Sequence, residues 1–242
     1  MAAPEQTDPA GVRPTLSRRT IEVWRVPIDP AGPADALRAL LSQEERLRAD
    51  ALPDPRIRSR FVGTRAALRL LLGRHLGGEP SAFELRYGVN GKPFLFRHGA
   101  ADGLRFSVSH AADLALVALA LGRDVGVDIE RVRVARHADR IATRLFDGHT
   151  CALLGRLAGD DHTLAFHHAW TQREAYVKTV GGSVFGTRDP LAFHWPRPHR
   201  DVQRGDGGTA WTVAVLEPGP GYVASLVAEG EAESITEQDW DP

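Results

Sequence analysis

The sequence predicts an α+β protein of two similar α/β halves, each a small, mostly antiparallel sheet with one long helix. Three observations carry that expectation. An arginine-bearing helical stretch ends in Gly77-Gly78 and is followed by strand-like segments. A second helical stretch, FHHAWTQREAYVKTVGG, ends in Gly181-Gly182 and is again followed by strand-like segments. Between them, alternating apolar and polar residues broken by short turns read as an antiparallel meander. The echo places a junction near 120–124 and divides the chain into 1–19, 20–121, 122–228 and 229–242.

Residues 1–19 are rich in Pro, Ala, Arg and Thr without periodicity, and disorder is expected there. IEVWRVPI, from Ile21, fits a short strand. Asp35 can cap a helix running through Leu37, Leu40 and Leu41. Ser42 and Glu45 form a capping box whose helix stops before Pro53. Pro55 to Leu76 is the first long helix, with Phe61, Val62, Leu68, Leu71 and Leu72 as its apolar stripe. Its arginines, Arg56, Arg58, Arg60, Arg65, Arg69 and Arg74, are expected to be mostly solvated, with Arg65 the one turned toward a site.

Ala82 to Tyr87 reads as a strand before the turn Val89-Asn90-Gly91-Lys92-Pro93, and LRFSVSH and LALVALAL as a hairpin. VGVDIERV follows as a further strand. A helix around Ala138 to Phe146 precedes the weakly patterned HTCALLGRLAGDD. Beyond the second long helix, DPLAFHW reads as a strand and RDVQRGDGG as a loop. Trp211–Leu216 and Tyr222–Ala228 form a last hairpin, and the acidic tail from Glu229 is expected to be loose.

Composition narrows the function. Within 242 residues, 43% hydrophobic and 25% charged, there is room for a substantial core. With 30 Lys+Arg against 31 Asp+Glu, a general electrostatic attraction to nucleic acid is not expected, although a local basic pocket is compatible. The single cysteine, Cys151, excludes a disulfide framework and a cysteine-cluster metal site. The N-terminus lacks the apolar core of a signal peptide, and the run Leu114–Leu121 is too short to span a bilayer, so a cytoplasmic protein without membrane partners is expected.

The chemistry gathers in two short blocks. In GVDIE, Asp128 and Glu130 are two apart, which on a strand puts both carboxylates on one face. Two such acids repel unless a cation or water separates them, so the spacing fits either a solvated sheet edge or a hard divalent ion such as Mg²⁺. Glu174 and Lys178 are four apart, hence on one helix face. They fit either an intrahelical ion pair or a third metal ligand with a phosphate-binding cation. Lys92, Ser109, His110, Arg65 and Arg48 are further candidates to hold an anionic substrate.

In this order, NGKPFL, FSVSHA, GVDIE and WTQREAYVK resemble the 4′-phosphopantetheinyl transferases, specifically the large pseudo-dimeric class serving nonribosomal-peptide and polyketide synthases. The resemblance runs from about residue 20 to 228. It implies two halves related by pseudo-twofold symmetry, with coenzyme A and Mg²⁺ in the cleft between them, and a monomer as the working unit. It implies Asp128, Glu130 and Glu174 as Mg²⁺ ligands and Lys178 at the pyrophosphate. Arg48, Arg65, Lys92, Ser109 and His110 would hold the phosphates and the adenosine end, His110 at the 3′-phosphate. The serine hydroxyl of an apo acyl or peptidyl carrier protein would attack the β-phosphorus and release 3′,5′-ADP, with Glu174 and Lys178 as the catalytic pair.

The sequence departs from that family at two points. Many members carry a glutamate, proposed to help deprotonate the serine, at a position falling here near His149 or Thr150, and no glutamate lies between Arg131 and Glu174. A metal-bound water, Asp147, His149 or a shared Glu174 are the alternatives, and the base is left unassigned. A basic residue of some relatives is replaced by Glu45. Two other readings stay open: a Mg²⁺-dependent nuclease, against which the lack of a basic, aromatic stripe counts, and a non-catalytic module binding coenzyme A or a carrier protein.

Overall fold

A computed structural model describes residues 16–28, 34–96 and 103–241; of the disorder expected for 1–19, residues 1–15 lie outside the described residues, while 16–19 are ordered, with Leu16 against the core and Ser17 O accepting the Thr20 amide. The first strand, β1 (Thr20–Pro27), is followed by two short helices, α1 (Ala34–Ala39) and α2 (Gln43–Asp50), and by the long α3 (Pro55–Leu76). A ribbon of β2 (Leu85–Tyr87) and β3 (Pro93–Leu95) precedes the hairpin of β4 (Leu104–Ala111) and β5 (Leu114–Leu121). Next come β6 (Val125–Arg131), the short α4 (Ala138–Leu145) and α5 (Gly148–Leu154), and the long α6 (Gly159–Val180). The chain continues with β7 (Arg200–Arg204), β8 (Ala210–Leu216), β9 (Tyr222–Glu229) and β10 (Ser234–Asp239). The architecture is mixed α+β.

Local chemistry sets the helix ends. Ser42 Oγ accepts from the Glu45 amide while Glu45 Oε2 accepts from the Ser42 amide, a complete capping box at α2. Asp54 caps α3, whose first residue is Pro55, and α6 stops at Gly181 in the left-handed region, φ 65°. The second long helix begins seven residues before the expected Phe166, at Gly159.

Two four-stranded sheets form, in the orders β10-β1-β5-β4 and β6-β9-β8-β7. Strand alternation explains how they stack. Leu116, Ala118 and Ala120 of β5 share one core with Val125, Val127 and Ile129 of β6 and with Ala224, Leu226 and Ala228 of β9. The opposite face of β5, Ala115, Val117 and Leu119, packs on Leu68, Leu71 and Leu72 of α3. Ala175 and Tyr176 of α6 pack on Val213 and Val227 of the second sheet. The layers therefore run α3, sheet, sheet, α6. No helix among the described residues is long and apolar enough to cross a membrane.

Four expectations are corrected. Residues 234–239 are not loose: they form β10, parallel to β1, with Ile21 opposite Ile235 and Arg25 opposite Asp239. RDVQR is not a loop but the edge strand β7, paired antiparallel with β8; its polar, exposed residues hide it because an edge strand needs only one partner and one half-buried face. DPLAFHW is not a strand, although Leu191 and Phe193 alternate into the core as a strand's would. Its backbone is bonded by side chains instead: Ala192 N donates to Gln203 Oε1, and Ala192 O accepts from Gln172 and Gln203. Arg69 is not solvated. It is 1% exposed, donates from Nε to Glu45 Oε2 at 2.5 Å, and donates from Nη1 to the carbonyls of Pro80 and Phe83.

Candidate active site

The site lies where β4 of one sheet meets β6 of the other. Ser107 Oγ accepts the Val127 amide at 3.1 Å, tying the two edges together. One pleat further along β4, Ser109 Oγ donates to Asp128 Oδ1 at 2.8 Å. On the outer face of β6, Gly126 lets α6 approach closely: a Cβ there would overlap the Ala175 carbonyl and lie 2.6 Å from the Thr179 amide nitrogen. This contact brings the helix residues Glu174 and Lys178 alongside Asp128 and Glu130.

Lys178 Nζ donates to Asp128 Oδ1 at 2.6 Å and to Ser109 Oγ at 2.9 Å. The lysine thus pairs with the strand acid Asp128, across elements. Asp128 is 5% exposed, and its Oδ2 is buried with no hydrogen-bond partner among the described residues. Glu130 is half-buried, and its Oε1 accepts from Trp170 Nε1 at 3.2 Å. Burial first, and then the Asp128 charge, push the Glu130 carboxyl above its ordinary value, against the Trp170 hydrogen bond. Glu174 is raised for the same two reasons, with Glu130 adding to the rise and Lys178 opposing it. The three carboxylates therefore feel one another. As the side chains stand, no group of three or more His, Cys, Asp or Glu among the described residues is gathered closely enough to hold a metal ion.

Glu174 and Lys178 line a cavity of about 390 Å³ together with Asn90, Lys92, Ser107 and Gly181. Asn90 Nδ2 donates to the Gly181 carbonyl at 2.9 Å. Lys92 Nζ donates to the carbonyls of Thr179 at 3.0 Å and Val125 at 3.3 Å. Burial holds its pKa below the ordinary lysine value. The ammonium caps the last turn of α6, where the carbonyl dipoles favour a cation, and has one further N–H for the cavity. Glu130 and Trp170 line a separate cavity of about 400 Å³ with Arg133, His137, Ile141 and His167.

A rim of basic side chains completes the setting. His110 ends β4 at an exposed position, yet the protein packed about its ring, followed by Lys178 and Arg60, holds it below the ordinary histidine value, with Arg65 adding a smaller push. Arg48 and Arg65 both lie against the rings of Phe61 and Tyr87, at 5.3 and 5.6 Å for Arg48 and 5.6 and 5.7 Å for Arg65. Glu45 is the internal counter-ion of this cluster, bonded to Arg69 and 3.9 Å from Arg65 Nε. Arg65 Nη1 is buried without a partner among the described residues. Arg60, Ser107 and Gly126 belong to the neighbourhood but were not singled out from sequence; only the glycine beside the acid pair carried a readable signal. Asp147 lies elsewhere. Its Oδ1 accepts the Thr150 amide as the cap of α5, and it lines a cavity of about 430 Å³ with Arg173 and Asp189.

The sequence profile of the 4′-phosphopantetheinyl transferase superfamily matches residues 124–227. The 4′-phosphopantetheinyl transferase HetI of Nostoc sp. is 32% identical over 217 residues, covering 89% of this chain and 90% of that protein. The 4′-phosphopantetheinyl transferase AcpT of Salmonella typhimurium is 34% identical over 150 residues, 60% of this chain and 75% of that one. A phosphopantetheinyl transferase of Thraustochytrium sp. is 29% identical over 182 residues, 69% of this chain and 63% of that one. Asp128, Glu130, Glu174 and Lys178 all fall within the profile match, and HetI matches nearly the whole length: the chain belongs to the 4′-phosphopantetheinyl transferase superfamily.

Proposed function

We propose that the protein transfers the 4′-phosphopantetheine group of coenzyme A to a serine of an apo acyl or peptidyl carrier protein, releasing 3′,5′-ADP, and that it requires Mg²⁺. The observation that carries this is the meeting of Asp128, Glu130, Glu174 and Lys178 at the β4–β6 seam, beside a cavity rimmed by cations.

The donor set fits a hard divalent ion. Asp128 Oδ2 is a buried oxygen without a partner among the described residues, and burial and then the Asp128 charge raise both Glu130 and Glu174, a repulsion that a cation relieves. Asp128, Glu130 and Glu174 would hold the ion; when bound, it offsets charge on the pyrophosphate oxygens during phosphoryl transfer. Lys178, already at the cavity, is the chain's own cation for that pyrophosphate. Arg65 and Arg48 form the positive rim for the 3′-phosphate and adenosine end, with the His110 ring N–H and the remaining N–H of Lys92 as further donors; Ser109 would join them by turning its hydroxyl from Asp128. Glu174 keeps its place as a ligand, and the acceptor of the serine proton is left unassigned.

The proposal includes two halves related by pseudo-twofold symmetry, 20–121 and 122–228. The strand orders support it: β1-β5-β4 in one sheet corresponds to β6-β9-β8 in the other, and the 22-residue α3 covers the first as the 22-residue α6 covers the second. Because both halves line the cleft within one chain, the working unit is the monomer.

Incubation with coenzyme A, Mg²⁺ and apo carrier proteins, followed by intact mass measurement, tests the function. A phosphopantetheine gain on the carrier is expected, and its loss in Asp128→Ala. No gain across several carriers, with coenzyme A tightly bound, would instead mark a binding module.

A further inference from the structure

A second set of polar groups lies on the flank of α6 turned toward β9. Arg197 reaches in from the loop before β7 and bridges helix and sheet: its Nη1 donates to Ser225 Oγ at 3.2 Å and to the His168 carbonyl at 3.4 Å. Its guanidinium carbon lies 5.6 Å from the centre of the Phe193 ring. Among the described residues no carboxylate is within 4 Å of it; Asp201 acts only at longer range, and burial lowers its pKa to about 10. A guanidinium carries five N–H donors, and among the described residues only Nη1 has protein acceptors.

The rest of the guanidinium faces a cavity of about 190 Å³ lined by His168, Trp195, Pro196, Arg197, His199 and Val215. His168 packs against Trp195 with ring centroids 5.7 Å apart, and its Nδ1 is buried without a partner among the described residues. Burial lowers its pKa to about 4, so the ring is neutral at pH 7 and does not compete as a second charge. At the rim, His199 Nε2 lies 3.4 Å from Glu217 Oε1, and both side chains are exposed. Arg197 is half-buried, and its remaining N–H groups have neither a carboxylate nor a full set of protein acceptors among the described residues, so they are left to whatever occupies the cavity.

We propose that this cavity is an anion site, separate from the β4–β6 cleft, that takes a small inorganic oxyanion of the phosphate or sulfate class. The planar fork of Arg197 offers the parallel N–H pair that such oxyanions accept. An occupant would complete the shell of the residue that joins α6 to β9 through His168 and Ser225. Ser225 lies directly opposite Asp128 in the β6–β9 ladder, and Thr171 Oγ1 shares its hydroxyl at 2.8 Å. Occupancy would therefore stiffen the seat of the helix that carries Glu174 and Lys178.

The test is thermal melting in sodium sulfate against sodium chloride at equal ionic strength, with crystals soaked in selenate to locate the anion. At ten times the dissociation constant, a single site raises Tm by roughly 3–6 °C. That rise is expected in the wild type and in Lys178→Met, whose cleft is impaired, and is expected to vanish in Arg197→Met. Should Arg197→Met not fold, Arg197→Lys keeps the charge without the fork and is expected to show a reduced rise. An anomalous selenium peak is expected beside the Arg197 guanidinium. A sulfate-dependent rise of full wild-type size in Arg197→Met or Arg197→Lys would overturn the proposal, and so would selenate peaks confined to the β4–β6 cleft.

Discussion

Lys178 and Asp128, fifty residues apart in sequence, are joined by a 2.6 Å ion pair that links the last turns of α6 to the middle of β6. The lysine is partly exposed and the aspartate nearly buried, so the pair is screened on one side only. Lys178→Met leaves the buried carboxylate with Ser109 as its remaining donor. A loss of about 1–3 kcal/mol is expected in urea denaturation. If the carboxylates hold Mg²⁺, added Mg²⁺ restores part of that loss. Equal midpoints for wild type and variant would show that the pair contributes nothing.

Gly126 makes the second test. Gly126→Ala forces α6 away from β6 and is expected to destabilise by about 1–3 kcal/mol, with loss of transfer as Glu174 moves from Asp128. Gly148, at the start of α5, is the control: a Cβ there meets nothing within 4 Å. Gly148→Ala is expected to be neutral or stabilising by up to about 1 kcal/mol.

Trp170 holds Glu130 by its indole N–H, so the tryptophan is a positioning residue as well as an apolar one. Trp170→Phe keeps the ring bulk and removes the donor. The Mg²⁺ concentration giving half-maximal transfer is expected to rise by about 10- to 100-fold, with KM for coenzyme A little changed. An unchanged Mg²⁺ profile would assign the hydrogen bond to folding alone.

Two buried groups away from the site bend the pH dependence of stability in opposite directions. Burial raises Asp189 to about 6, so its share of stability is complete below the unfolded value near 3.8 and is lost as pH rises through 6. Burial lowers His168 to about 4, so its share is complete above the unfolded value near 6.5 and is lost as pH falls toward 4. Asp189→Asn keeps an oxygen for the Leu191 amide and is expected to melt higher than wild type at pH 7, the gap closing by pH 4. His168→Gln is expected to remove the loss between pH 6.5 and 4. Parallel wild-type and variant curves over pH 4–7 would refute either assignment.

What was legible in the sequence was what short-range chemistry decides. The bounds of α3, Pro55 and Leu76, follow from the Asp54 cap, the proline after it and the glycine at its end. The two-residue spacing of Asp128 and Glu130 and the four-residue spacing of Glu174 and Lys178 each named a shared face. Long-range decisions were not readable. That the Lys92 ammonium also bonds carbonyls of α6 and β6 is set by where two distant segments pass. Glu45 looked like a lost basic contact and is a buried counter-ion, because Arg69 arrives from another helix. The strands β7 and β10 escaped because a polar strand at a sheet edge is stabilised by its ladder rather than by an apolar face.

The parallel ladder between β1 and β10 has a consequence in time. Residues 20–25 wait for residues 234–239, so the first sheet cannot close its outer edge until almost all of the described chain has left the ribosome. Until then β1 presents an open row of amides and carbonyls, able to pair with another nascent chain. The first half of the molecule, although made early, is finished last.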